Sequence, residues 1–166
     1  NIEITNEADF ANNGIPVTKF YNVNKDGSMP PSSEAWIDYP LFRLGEVYLN
    51  LAEAVLRGGQ GISKTEALTY MNNLRKRAYS DKTLASVSES DFTLNFILDE
   101  RARELLYEAQ RRTDLIRFNK YTSGDYLWPW KGGVAEGRAV GDFYQVFPLP
   151  SDDIGSNENL VQNEGY

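Results

Sequence analysis

The run Asp125-Tyr126-Leu127-Trp128-Pro129-Trp130-Lys131 sets three large rings around one proline, with a carboxylate at one end and an ammonium at the other. Rings of this kind stack on apolar C–H faces, those of sugars above all, while charged or amide tips take the hydroxyl groups. Pro129 lacks an N–H and keeps the run out of a regular helix, and in an extended strand the alternation turns Trp128 and Trp130 to similar sides. The candidate ligand-binding residues are therefore Trp128, Trp130 and Tyr126 as a stacking platform, with Lys131 or Asp125 reaching hydroxyls. The competing assignment makes Trp128 and Trp130 anchors that fix an acidic tail to the rest of the chain, because Trp buries more area than any other residue. Trp36, in Ser32-Ser33-Glu34-Ala35-Trp36, is open to the same two readings.

Glu100, Glu104 and Glu108 recur at i, i+4 spacing, with Arg101, Arg103, Arg111 and Asp114 nearby. Two carboxylates can serve as acid and base on a glycosidic bond, but they must flank it from two sides. Neighbours on one helix do not, and interleaved arginines keep them ionised, so an ion-pair network is expected instead. The chain has no His and no Cys, which removes thiol nucleophiles, Ser-His triads, His/Cys zinc sites and disulfides. No catalytic residue, metal site or cofactor is expected, and hydrolysis is not. Gly58-Gly59-Gln60-Gly61-Ile62-Ser63-Lys64-Thr65 lacks the Gly before Lys64 and the preceding strand that a phosphate loop needs, and reads as a helix terminator followed by a cap. Asn22-x-Asn24-x-Asp26-Gly27-Ser28 begins like a calcium loop, but its twelfth position is Ser33, so a turn is expected. Arg75-Lys76-Arg77 complements a helix C-terminus, and a formal charge of -7 argues against nucleic acid as a partner.

These residues must be positioned by 166 residues, of which 41% are apolar and 25% charged, values expected of one folded domain. No apolar run approaches the ~18 residues of a membrane span. The start, Asn1-Ile2-Glu3-Ile4, has neither the basic and apolar segments of a signal peptide nor a lipid-attachment Cys, as expected of a mature chain or a fragment. Three zones follow from charge and periodicity: a loop-rich flank over residues 1–40, a helical core over 41–121, and an aromatic and acidic tail over 122–166 packed on that core. In the flank, Val17 to Tyr21 suits a strand, whereas Asn12-Asn13-Gly14 and Asp26 to Pro31 are turn chemistry. Leu41, Leu44, Tyr48, Leu51 and Val55 make one helical stripe ending at Gly58-Gly59. Ser63 and Glu66 form a capping box ahead of Ala67, Tyr70, Met71, Leu74 and Ala78. A third helix starts after Ser90 or Thr93 and carries Leu94, Ile97, Leu98, Arg101, Leu105 and Ala109, with a shorter helical segment from Thr113 to Phe118. The helices near 41–57, 64–79 and 93–109 are expected to pack antiparallel, with Leu44, Tyr48, Leu51, Leu74 and Leu105 in a shared core. Tyr144-Gln145-Val146-Phe147 suits a short strand. The fold class is all-α.

Leu41-x-x-Leu44-Gly45-x-x-Tyr48 and Ala67-x-x-x-Met71-x-x-Leu74 resemble the paired helices of a tetratricopeptide repeat, in which a small residue at Gly45 lets helices approach. Joined to Arg43 to Gly59, Glu66 to Ala78, Ile97 to Leu115, Val146 to Ile154 and Asn159 to Tyr166, in that order, the pattern resembles the C-terminal region of the SusD/RagB family. These are outer-membrane lipoproteins of Bacteroidetes that capture glycans at the cell surface. The family pattern E-G-x-R-W/Y-x-D-L stands here as Glu108-Ala109-Gln110-Arg111-Arg112-Thr113-Asp114-Leu115, and Q-N-P-G-Y as Gln162-Asn163-Glu164-Gly165-Tyr166. The resemblance implies TPR-like helical hairpins, a non-catalytic glycan-binding role, and a SusC-like TonB-dependent transporter as partner. It also implies a surface-exposed place at the outer membrane, with the lipidated Cys in a longer protein of which this is the C-terminal part. Glycan-contacting aromatics vary within the family, so no binding residue transfers onto this chain. A helical-repeat scaffold that docks on the transporter is the alternative.

Overall fold

The structure, a computed structural model, describes residues 19–30 and 35–166, and the chain divides into one unit ending at Leu41 and another beginning at Phe42. In the first unit Asp26 Oδ1 accepts from the Ser28 N–H at 2.9 Å, closing the turn expected there, and the Trp36 N–H donates to Asn22 Oδ1 at 2.8 Å. The turn at Asn12-Asn13-Gly14 lies outside the described residues, as do Val17 and Thr18 of the expected strand; Lys19 and Phe20 form a turn.

The second unit holds α1 (Leu44–Leu56), α2 (Lys64–Ala78), α3 (Leu94–Glu104), α4 (Arg111–Arg117) and α5 (Ser151–Ser156), with 3-10 turns at Lys131–Gly133 and Asp142–Gln145. Among the described residues there is no strand, so Tyr144 to Phe147 is a 3-10 turn leading into extended chain. The helix ends follow local chemistry. After α1 the Gly58 N–H reaches Val55 O and the Gly59 N–H reaches Ala54 O, a Schellman closure that places Gly58 at φ 92. Ser63 Oγ accepts from the Glu66 N–H at 3.1 Å and Thr93 Oγ1 from the Phe96 N–H at 3.2 Å, capping α2 and α3. The third helix stops at Glu104, short of the expected 109, because Tyr107 (φ 61) and Ala109 (φ 58) take left-handed backbone.

Helix directions can be read from the pairings. Arg43, just ahead of α1, meets Glu104 and Glu108, and Asn50 further along meets Arg101, so α1 and α3 are antiparallel. Arg75 meets Glu100 and Arg77 meets Glu104, so α2 and α3 run the same way. That parallel pair needs a return connection, and residues 79–93 supply it: Ala85 O takes the Arg75 Nε–H, Asn72 brackets Val87, and Glu89 O takes Lys64 Nζ. The hairpin of α1 and α2 is antiparallel as expected, while the third helix returns on α1 from the far end.

The core joins Leu49 and Ala52 of α1, Ala67, Met71 and Leu74 of α2, Phe92, Ile97 and Leu105. Burying each large side chain contributes about 1.5–3 kcal/mol. Leu74 and Leu105 are buried as expected, but Tyr48 and Leu51 are half-buried and Leu44 is 61% exposed. The buried row of α1 is Gly45, Leu49, Ala52 and Glu53, one residue around from the apolar stripe, because a buried carboxylate takes a place that periodicity assigns to carbon. At Gly45 a Cβ would lie 2.5 Å from Arg43 Nη1 and 3.0 Å from Glu104 Oε1, so the small residue makes room for the ion pair between the start of α1 and the end of α3.

Candidate functional site

Two neighbouring cavities in the tail share one aromatic wall. The larger, about 600 Å3, is lined by Tyr121, Trp128, Arg138, Phe143 and Tyr144, with Lys131 at its base, and the smaller, about 350 Å3, lies between α4 and Tyr126 to Trp128. Tyr121 and Trp128 line both, their ring centroids 6.3 Å apart and tilted by 30°.

Trp128 owes its place to a tight turn. The Lys131 N–H donates to Trp128 O at 3.1 Å, Pro129 takes the first corner, and Trp130 takes the second at φ 69, ψ 7, the geometry of a type II turn. The run is thus bent, where an extended strand was expected, and the two Trp part company: Trp128 lines both cavities, and half-buried Trp130 lines neither. Lys131 is turned inward and 3% exposed. Its Nζ donates to Tyr126 O at 2.9 Å, to Lys120 O at 3.2 Å and to Ser123 O, and lies 4.6 Å from the Trp128 ring centroid. Burial pulls its pKa below the usual lysine range, with Asp125 opposing. Its ammonium is thus bonded to the loop's own carbonyls, where the sequence suggested that it reaches hydroxyls. Tyr126 is also committed, donating to Asp99 Oδ1 at 2.8 Å and accepting from Arg111 Nη2, and burial with the Asp99 contact raises its pKa. Asp125 is exposed and engaged by Lys120 and Ser123, which hold its carboxyl below the ordinary value.

Phe143 and Tyr144 of the larger cavity are braced from behind by C-terminal residues that do not line it. Gln162 donates to Leu149 O and accepts from the Leu149 N–H, Asn163 reaches Phe147 O at 2.7 Å, and the Tyr166 hydroxyl reaches Val146 O at 2.8 Å. The Tyr166 ring meets Phe143 edge-on at 5.2 Å. From α4, Arg112 Nη2 donates to Tyr144 O and Gln145 O, both at 2.9 Å, while its guanidinium lies over Phe147 and Tyr121. Tyr121, Arg138, Phe143 and Tyr144 were not legible as cavity residues, since they come from separate loops; the one available signal was the terminal Gln-Asn-x-Gly-Tyr motif that holds two of them.

The carboxylates considered for catalysis are all paired. Glu100 holds Arg75 and Arg103, and Glu104 and Glu108 meet on Arg43. Hydrogen bonding to Glu108, offset in part by burial and reinforced by Glu104, raises the Arg43 pKa further. A second network runs through Arg101, Asp114, Arg117, Glu53 and Arg57, with Arg101 Nε 2.8 Å from Asp114 Oδ1 at a site where both residues are almost fully buried. Burial alone would raise the Glu53 pKa, but Arg117 and Arg57 together bring it below the usual value. Among the described residues no acidic group of three or more is placed to hold a metal ion, and no helix is long and apolar enough to cross a membrane.

The SusD family model matches residues 3–166. The starch-binding protein SusD of Bacteroides thetaiotaomicron is 42% identical over 156 residues, which cover 92% of this chain and 26% of that protein. A SusD superfamily protein from Bacteroides vulgatus superposes with a TM-score of 0.58 at 34% identity, over 76% of this chain and 27% of that one. Surface glycan-binding protein A from Bacteroides thetaiotaomicron superposes with a TM-score of 0.59 at 30% identity, over 85% and 28%. The chain thus spans about a quarter of the length of these relatives. The family match extends across the helices and the cavity-bearing tail alike, and this chain belongs to the SusD family.

Proposed function

We propose that this chain is part of a non-catalytic, cell-surface protein that captures glycans for nutrient uptake beside a SusC-like TonB-dependent transporter, lipid-anchored at the outer membrane. The observation that carries the reading is the 42% identity to a starch-binding protein over nearly the whole chain. The absence of His and Cys and the pairing of Glu100, Glu104 and Glu108 with arginines support a binding role over hydrolysis. Within this chain the sugar-stacking ring is Trp128, backed by Tyr121 and Tyr144 in the same cavity; Tyr126, Lys131 and Asp125 are bonded within the loop that presents it, and the Trp130 side chain lies outside the cavity. Calorimetric titration with starch oligosaccharides, xylan and mucin glycans, run beside a reducing-sugar assay, tests both parts. Saturable binding without sugar release is expected. Sugar release that vanishes in Glu104→Gln would overturn the non-catalytic reading.

A docking role has one observation in its favour. Phe42, Leu44 and Val47 are exposed at the start of α1, with Leu44 and Val47 one helical turn apart. If this face meets the transporter, Leu44→Glu with Val47→Glu releases the partner and leaves glycan affinity unchanged.

A further inference from the structure

We propose that the larger cavity is a subsite for an anionic saccharide, one bearing a carboxylate or a sulfate, with Arg138 as its anion-binding group and Trp128 as its stacking ring. The proposal rests on the glycan-binding reading above and narrows it.

Charge is unevenly placed in this part of the chain. From residue 122 to the C-terminus the chain has seven acidic and two basic residues, and both basic residues, Lys131 and Arg138, line this cavity while no acidic residue does. In a chain of formal charge -7 a cavity with only cations in its wall departs from the general field. Of the nearby carboxylates, Asp125 pairs with Lys120, and Asp142, which accepts from Thr122 Oγ1 at 2.6 Å and keeps its charge, does not line the cavity. Lys131 is held by neutral backbone carbonyls, so its charge is not cancelled by a directly bonded carboxylate and contributes a positive field to the floor.

Arg138 is anchored at its root. Its N–H donates to Lys131 O at 3.0 Å and its Nε to Gly132 O at 2.9 Å. Gly132 sits at φ 67, and a Cβ there would lie 2.8 Å from Arg138 Cγ and 2.9 Å from Val140 Cγ1, so only glycine lets the arginine stem lie across this turn. The root of the guanidinium is fixed while its two terminal nitrogens have no hydrogen-bond partner among the described residues. That open fork matches the paired oxygens of a carboxylate or sulfate. Trp128, Tyr121 and Tyr144 supply the apolar surface that a simple inorganic anion does not need and a pyranose ring does. A volume of about 600 Å3 falls in the range of small-ligand sites.

The test titrates the full chain, by tryptophan fluorescence and calorimetry, with maltoheptaose, an oligogalacturonate of equal length and sulfated maltoheptaose. At low salt at least one anionic probe binds about tenfold tighter than maltoheptaose, and added salt narrows the gap. Whichever anionic arm shows the preference identifies carboxylate or sulfate. Arg138→Gln, an exposed position whose change leaves the thermal midpoint in place, removes the preference and spares neutral binding; Arg138→Lys keeps part of it. Equal or better binding of maltoheptaose, lost in Trp128→Ala, overturns this inference and leaves the glycan reading standing. Anionic binding that is indifferent to Arg138→Gln overturns the assignment of the site. Failure of all three probes overturns the inference and counts against glycan binding by this chain.

Discussion

The Lys131 ammonium stands 4.6 Å from the centroid of the Trp128 ring while donating to the carbonyls of Lys120, Ser123 and Tyr126, so one buried cation ties the Trp128 ring to the loop before it. Lys131→Met keeps the stem's volume and leaves three carbonyls without their donor. The expected cost is about 2–3 kcal/mol, with Trp128 emission shifting to the red as the loop loosens. Unchanged stability and emission would show that the ammonium is not what holds the loop.

Ala109 occupies φ 58 in the place where the family pattern has glycine. A Cβ in left-handed backbone costs roughly 1–2 kcal/mol, and the site is exposed, so Ala109→Gly is expected to stabilise by about 1 kcal/mol once the freer unfolded chain is allowed for. Chemical denaturation reads this directly. A loss of stability, the usual result of adding glycine to a helix, would place residue 109 in helical backbone.

How much was legible in the sequence divides along the range of the interactions. Ser63 and Thr93 cap helices through bonds to the third residue onward, and Gly58 closes α1 locally, so these ends could be read from spacing. The buried charges could not. Arg75 finds Glu100, Arg117 finds Glu53 and Arg43 finds Glu108 across 25, 64 and 65 positions, and a stripe of apolar residues says nothing about a carboxylate that folding will pair. At the site, Trp128 was visible as an aromatic outside the helical period. Its separation from Trp130 follows from Pro129 at the first corner of a turn, and Arg138 and Tyr144 enter only through tertiary structure.

Core substitutions should track the observed burial. Leu105→Ala, at a position 4% exposed, is expected to cost about 2–5 kcal/mol, and Leu44→Ala, at 61%, close to nothing. Half-buried Leu51→Ala should fall between. Equal losses at Leu44 and Leu105 would mean that the face of α1 carrying Leu44 is covered.

Glu53 links stability to pH. Its pKa is lower in the folded chain than the ordinary 4.5, so its contribution is complete above that value and is lost as pH falls through the lowered folded value. The thermal midpoint should hold from about pH 7 to about pH 5 and decline below. Glu53→Gln lowers stability at neutral pH and flattens the acid decline; an unchanged acid limb would move the effect to other carboxylates.

The central claim is that this chain binds glycan through the ring of Trp128. It is tested most directly by calorimetric titration of the chain and of Trp128→Ala with the same oligosaccharide panel, each protein first shown to be folded by its thermal midpoint. The account predicts saturable binding by the unaltered chain that weakens by about 1 kcal/mol or more, roughly fivefold or greater, in Trp128→Ala, while Trp130→Ala retains it. Binding that survives in Trp128→Ala, or no binding by the folded, unaltered chain, would contradict it.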